Sequence, residues 1–206
     1  MKRRLIGLTI MIVFFWQAFS PAAAQEPSLF WERDGAYLRF ESTPIQVCQI
    51  TPDPLWTYIT ERGVDFLDDY IAIVFNQNFD PGDGFIQPAY PDCDIEIMLV
   101  RTFEFLPECL TQGEPLGCDI AYFTDEGRYV SHVYIRQDTI YRSAVWYHEI
   151  FHALGFVEHS TNPRDIMYGR VRWNVPEPSA AELASLVWLY EQPAIDWATK
   201  CPKVDQ

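Results

Sequence analysis

The stretch His148-Glu149-Ile150-Phe151-His152-Ala153-Leu154-Gly155-Phe156-Val157-Glu158-His159 decides the reading of this chain, together with Asp165-Ile166-Met167-Tyr168-Gly169 downstream. His148 and His152 stand four residues apart, so on an α-helix their rings leave one face. Both can then reach a single metal ion, at about 2.0–2.1 Å each if the ion is zinc. Glu149 is turned roughly 100° about the axis from His148. It is poorly placed to share the ion and well placed beside a water that needs a general base. Gly155 falls where a glycine in the left-handed conformation ends a helix and reverses the chain. Two further donors follow, Glu158 and His159. Three protein ligands and one open position define a catalytic zinc site, whereas four define a structural one. Imidazole is the commoner ligand, which favours His159; Glu158 is the competing reading.

Ser143-Ala144-Val145-Trp146-Tyr147 leads into this helix, and no proline interrupts residues 139–154. Asp138 or Thr139 is the expected N-cap. Three of the chain's four histidines lie in these twelve residues, a concentration that ordinary polar or core histidines do not explain.

The segment resembles the metzincin clan of zinc metallopeptidases, and within it most the matrixin branch. The family pattern is His-Glu-x-x-His-x-x-Gly-x-x-His followed by a methionine-bearing turn. His148, Glu149, His152 and Gly155 are in register; the third histidine would fall on Glu158, and His159 comes one residue late. The run from His159 to Tyr168 is similar to the matrixin run from third ligand to methionine turn, with matching spacing. We therefore read one extra residue between Gly155 and His159.

The resemblance implies an α+β fold: a twisted mixed β-sheet with a long first helix and an active-site helix, then a small C-terminal subdomain with the methionine turn and a final helix. It implies that Met167 is an apolar pad beneath the metal, close to what methionine does in any irregular core. It implies that Tyr168 to Val171 form a pocket wall, with Tyr168 a candidate for stabilising the oxyanion. It also makes Asp119 to Thr124 an antiparallel edge strand above the cleft, whose free N–H and C=O groups pair with an extended peptide. At the level of motifs it covers about 139–173; upstream it is topological.

Residues 1–24 read as a secretory signal peptide: basic Lys2-Arg3-Arg4, a largely apolar Leu5 to Phe19, and Ala22-Ala23-Ala24 before Gln25. The apolar run is short for a membrane span. Export to the medium or to a periplasm is the expectation, with no membrane attachment after cleavage. Residues 25–206 are expected to form one metallopeptidase-like domain, with an upper subdomain over about 36–155 and a lower one over about 156–206. The net charge of −14 becomes −17 once the three leader basic residues are removed. Such acidity argues against nucleic-acid binding. Five cysteines suit an oxidising compartment. Cys109 and Cys118 bracket a Gly- and Pro-containing loop and are the expected bridge; Cys48, Cys93 and Cys201 are left open, and a spare thiol on zinc is one reading.

Strands are expected at Tyr37 to Phe40, Ile45 to Ile50, Ile95 to Arg101, Ile120 to Thr124 and Val130 to Arg136. A long helix is expected from Asp53 or Pro54 to about Asn76, with Leu55, Ile59, Phe66, Tyr70 and Ile73 on its apolar face. A last helix, Ala180 to Tyr190 behind Ser179, would bury Leu183, Leu186, Val187 and Tyr190. The acids of the loop from Asn78 to Gly84 could take Ca(2+), although turn chemistry explains them as well. His132 reads as a structural histidine of its strand.

Together these readings point to zinc-assisted hydrolysis of peptide bonds, with Glu149 as general base and His148, His152 and His159 as ligands. The alternative is an exported zinc-binding interaction module without peptidase activity.

Overall fold

A computed structural model describes residues 29–80, 90–101, 109, 115–139 and 141–196. The leader reading, most of the candidate calcium loop and Cys201 lie outside the described residues.

The elements in chain order are β1 (Glu32–Arg33), β2 (Ala36–Tyr37), β3 (Ile45–Gln49), α1 (Pro54–Asp68), β4 (Ile73–Phe75), β5 (Ile95–Val100), β6 (Gly117–Phe123), β7 (Tyr129–Arg136), α2 (Arg142–Ala153) and α3 (Ala180–Glu191). β1 and β2 form a small hairpin, shorter than the strand expected to reach Phe40. The other five strands make one sheet in the order β4-β3-β5-β7-β6. β4, β3, β5 and β7 run parallel, and β6 closes one edge antiparallel to β7. The result is a mixed α+β fold with a five-stranded mixed sheet and three helices.

The sequence explains the central strands. β5 is a nearly unbroken apolar run, as a strand covered on both faces should be. Its one charge, Glu96, is buried and bonded to the Tyr90 N–H at 2.6 Å and to His132 Nε2 at 3.0 Å. Tyr122 OH lies 3.0 Å from the same ring nitrogen. His132 is thus a satisfied structural histidine. A disulfide between Cys48 and Cys93 ties β3 to the approach to β5, and the Cys109–Cys118 bridge holds the start of β6.

α1 starts as its sequence dictates. Asp53 caps it by accepting from the Leu55 and Trp56 N–H groups at 3.0 Å each, with Pro54 in the first turn. It stops at Asp68, eight residues before the expected end. Asp68 Oδ1 accepts the Ile73 N–H, and Ile73-Val74-Phe75 pairs with β3 as an edge strand. Pairing across the sheet overrides helical periodicity there. The buried face is also rotated. Trp56, Thr60, Gly63, Val64 and Leu67 point inward, while Leu55 and Tyr70 are 44% and 39% exposed. The cause is the crossing with α2: Trp146 fills the space over Gly63, where any Cβ would collide with the indole. Its Nε1 donates to buried Thr60 Oγ1 at 3.1 Å.

α3 carries the capping box of Ser179 and Glu182, and it buries Leu183, Leu186 and Leu189. Val187 and Tyr190, expected inside, are only partly covered. The β2 strand meets the segment after α3: the Tyr37 N–H bonds the Pro193 carbonyl at 2.8 Å, and the Ile195 N–H bonds the Tyr37 carbonyl at 3.0 Å.

Candidate metal centre

α2 carries the first two histidines. It begins at Arg142, later than the sequence suggests, because neither expected N-cap residue caps it. Asp138 is held by Arg136 Nε at 2.6 Å, and Thr139 Oγ1 faces the Tyr141 N–H at 3.4 Å. Tyr141 takes the cap position without a side-chain bond. Every residue from Ala144 to Phe151 is buried, so this helix is fixed by packing rather than by its cap.

The C-terminus of α2 is a Schellman motif. The Gly155 N–H bonds the His152 carbonyl at 2.9 Å, and the Phe156 N–H bonds the Phe151 carbonyl at 3.0 Å. The accompanying apolar contact is Phe151 on Phe156, ring centroids 4.9 Å apart. Gly155 has φ +117°, and a Cβ there would strike the Leu38 carbonyl oxygen. Glycine is needed twice over, for the backbone angle and for the close approach. Past the motif, the Val157 and Glu158 N–H groups bond the Leu29 carbonyl at 2.8 and 3.3 Å, and Phe30 bridges Phe156 antiparallel. This upstream segment pins the loop between Gly155 and His159.

His148, His152 and His159 then converge. His159 Nε2 stands 3.3 Å from Nε2 of each of the other two. His148 Nδ1 lies 2.7 Å from the Ile166 carbonyl, and His152 Nδ1 lies 2.6 Å from the Phe156 carbonyl. A carbonyl only accepts, so both Nδ1 atoms carry the proton and both Nε2 lone pairs face the cluster. Burial pushes His148 down to about 4 and His152 to about 3; it lowers His159 as well. The rings are therefore neutral near pH 7, as ligands must be. Three lone pairs this close repel unless a cation lies among them. Nitrogens bound tetrahedrally at about 2.0–2.1 Å stand about 3.3–3.4 Å apart, which matches the spacing here. Among the described residues, no carboxylate or thiol joins the three. Glu158, the competing third donor, is exposed and outside the cluster.

The segment after His159 is built by its own side chains. Ser160 Oγ and Asn162 Nδ2 donate to the Asp165 carboxylate at 2.6 and 2.9 Å. The Ser160 N–H bonds the Met167 carbonyl at 2.8 Å. Met167 is fully buried in the main core. Glu182 of α3 fastens this turn by accepting from the Ile166, Met167 and Ser179 N–H groups at 3.1, 2.8 and 2.8 Å. The sequence reading saw only a helix cap at Ser179. The Ser-x-x-Glu spacing was the available signal, but nothing in it shows that the glutamate also holds a distant turn.

A cleft of about 940 Å³ opens over the cluster. Gly117, Asp119 and Ala121 of β6 line it on one side, and Gly169, Arg170 and Val171 also line it. Tyr168 does not; its ring lies under the Arg172 guanidinium, 5.1 Å from centroid to carbon. Glu149 faces the cleft at 5% exposure. Burial raises its carboxyl well above the usual range, and the nearby Asp119 raises it further. β6 passes so close that a Cβ on Gly117 would sit 2.5 Å from Glu149 Cγ. In the sequence Asp119 reads only as the start of the edge strand and Gly117 only as a loop residue; alternation along β6 is the signal that would have placed both in the cleft.

No family model matches the chain, and no curated protein matches it in sequence. Fold and site define a mixed α+β protein with two disulfides and a three-histidine cluster able to hold a metal ion.

Proposed function

We propose that the protein is an exported zinc-dependent endopeptidase of the metzincin type. The observation that carries this reading is the position of Glu149: a buried carboxylate on the helix of His148 and His152, lining the same cleft as the three histidines. His148, His152 and His159 would hold the ion. Zinc, when bound, supplies a Lewis acid that makes water nucleophilic near neutral pH and polarises a scissile carbonyl. Glu149 takes a proton from the attacking water and delivers it to the leaving amine. Its raised proton affinity, set by burial and Asp119, suits a group that must both accept and return a proton. β6 is an edge strand, so its outer N–H and C=O groups can align an extended peptide beside Glu149. The two disulfides agree with an oxidising compartment, and no described helix is long and apolar enough to cross a membrane.

One observation favours a second reading, a zinc-binding interaction module: the third histidine comes one residue late and is exposed. Incubation of the zinc-loaded protein with a diverse peptide library, with and without chelator, separates the two. Chelator-sensitive cleavage supports the peptidase; intact peptides beside stoichiometric zinc overturn it.

A further inference from the structure

β6 turns every second side chain toward α2, and the pleat delivers Asp119 into the cleft between Gly117 and Ala121. Asp119 Oδ1 accepts a hydrogen bond from Ser131 Oγ on β7, which fixes the rotation of the carboxylate. Oδ2 has no hydrogen-bond partner among the described residues. Asp119 is not one of the converging donors of the histidine cluster, so its charge is not spent on the metal. Arg170, the cationic side chain in the cleft lining, is exposed and forms no described ion pair with it.

Asp119 is half-buried, and an ionised carboxylate with one oxygen open to the cleft gains from a positive partner. Partial burial pushes its carboxyl up to about 7, against the Ser131 hydrogen bond and the nearby His132. Glu149 of α2 lines the same cleft. The chain's formal net charge of −14 favours encounter with cationic peptides in general.

We propose that Asp119 is a specificity residue of the cleft, receiving through Oδ2 the ammonium or guanidinium of a lysine or arginine side chain on an extended peptide lying along β6. The inference rests on reading the cleft as a peptide site, and it names the class of peptide that site selects.

The test uses N-acetylated, C-amidated peptides, so that neither terminus carries charge. They differ at one position at a time in lysine, arginine, norleucine or glutamate. Equilibrium binding and cleavage are both read on the zinc-loaded protein and on its Asp119→Asn and Asp119→Ala variants. The cationic peptides are expected to bind about tenfold or more tightly than the norleucine peptide at one position. Asp119→Asn should bring the ratio of cationic to norleucine binding to about one while zinc content is retained. Asp119→Ala guards against asparagine retaining a dipolar contact. No cationic preference in the unaltered protein, or the same preference in both variants, overturns the inference. If nothing is cut but the preference appears and vanishes with Asp119, the hydrolytic reading fails and the specificity assignment stands.

Discussion

His148 Nδ1 lies 2.7 Å from the carbonyl oxygen of Ile166, the residue before Met167. This contact joins α2 to the turn beyond His159, and it orients the first ligand from outside its own helix. Ile166 is itself fixed, because its N–H bonds Glu182 on α3. His148 of the histidine cluster is therefore positioned by three segments: α2, the turn around Met167 and the N-terminus of α3.

Glu182→Ala should weaken the site from a distance. It leaves the Ile166 and Met167 N–H groups buried without acceptors, at a cost of about 1–3 kcal/mol each. Zinc affinity should fall about 10–100-fold, as for other partners behind metal ligands. Glu182→Gln, which keeps an acceptor, should be milder in both respects. Denaturant unfolding and competitive zinc titration read the two effects; unchanged affinity in Glu182→Ala would separate this turn from the site.

Gly155→Ala tests the chain reversal. The added methyl meets the Leu38 carbonyl at a backbone angle that disfavours side chains. Strain and overpacking together should destabilise the fold by about 2–4 kcal/mol. His159 is returned to the cluster by this reversal, so zinc should bind more weakly as well. A thermal melt followed with and without zinc measures both.

Gly117→Ala should act on turnover with little effect on the fold. Its Cβ would press on Glu149 Cγ and Oε1, each 2.5 Å away, and shift the carboxylate. A displacement near 1 Å costs about 10²-fold in rate when a proton-transfer group is involved. We expect kcat to fall by about that factor with zinc content retained. A normal kcat would mean that the Glu149 position is not limiting.

A pH dependence follows from Asp119, whose carboxyl is raised to about 7 by burial. An acid raised in the folded state holds its proton after the unfolded chain has released it. Asp119 therefore costs stability progressively as pH climbs from about 4 to about 7, and the cost is complete above that. His148 and His152, lowered to about 4 and 3, act in the opposite direction as pH rises. The comparison that isolates Asp119 is the metal-free protein against Asp119→Asn. The variant should gain stability relative to the parent between pH 4 and 7, on the order of 1–2 kcal/mol after allowance for water in the cleft. A pH-independent difference would contradict the assignment.

What was legible in the sequence follows from the range of the interactions. His148, Glu149, His152 and Gly155 lie within one helix and its cap, so local periodicity places them. The commonness of imidazole ligands and the spacing to Met167 point to His159, and its ring nitrogen lies beside those of His148 and His152. The end of α1 was not legible, because Ile73 to Phe75 become a strand only by pairing with β3. The buried face of α1 depends on Trp146 meeting Gly63, more than eighty residues apart in sequence. The pairing of Leu29 and Phe30 with the loop after Gly155 is equally long-range.

The central claim is that Glu149 acts as general base beside a three-histidine zinc site. The most direct measurement is peptide turnover and zinc content of Glu149→Ala beside the unaltered protein. The account predicts one zinc per chain in both, chelator-sensitive cleavage by the unaltered protein, and a loss of about 10²–10⁴-fold in the variant. Equal turnover in the two proteins, or none in the unaltered protein when fully loaded with zinc, would contradict it.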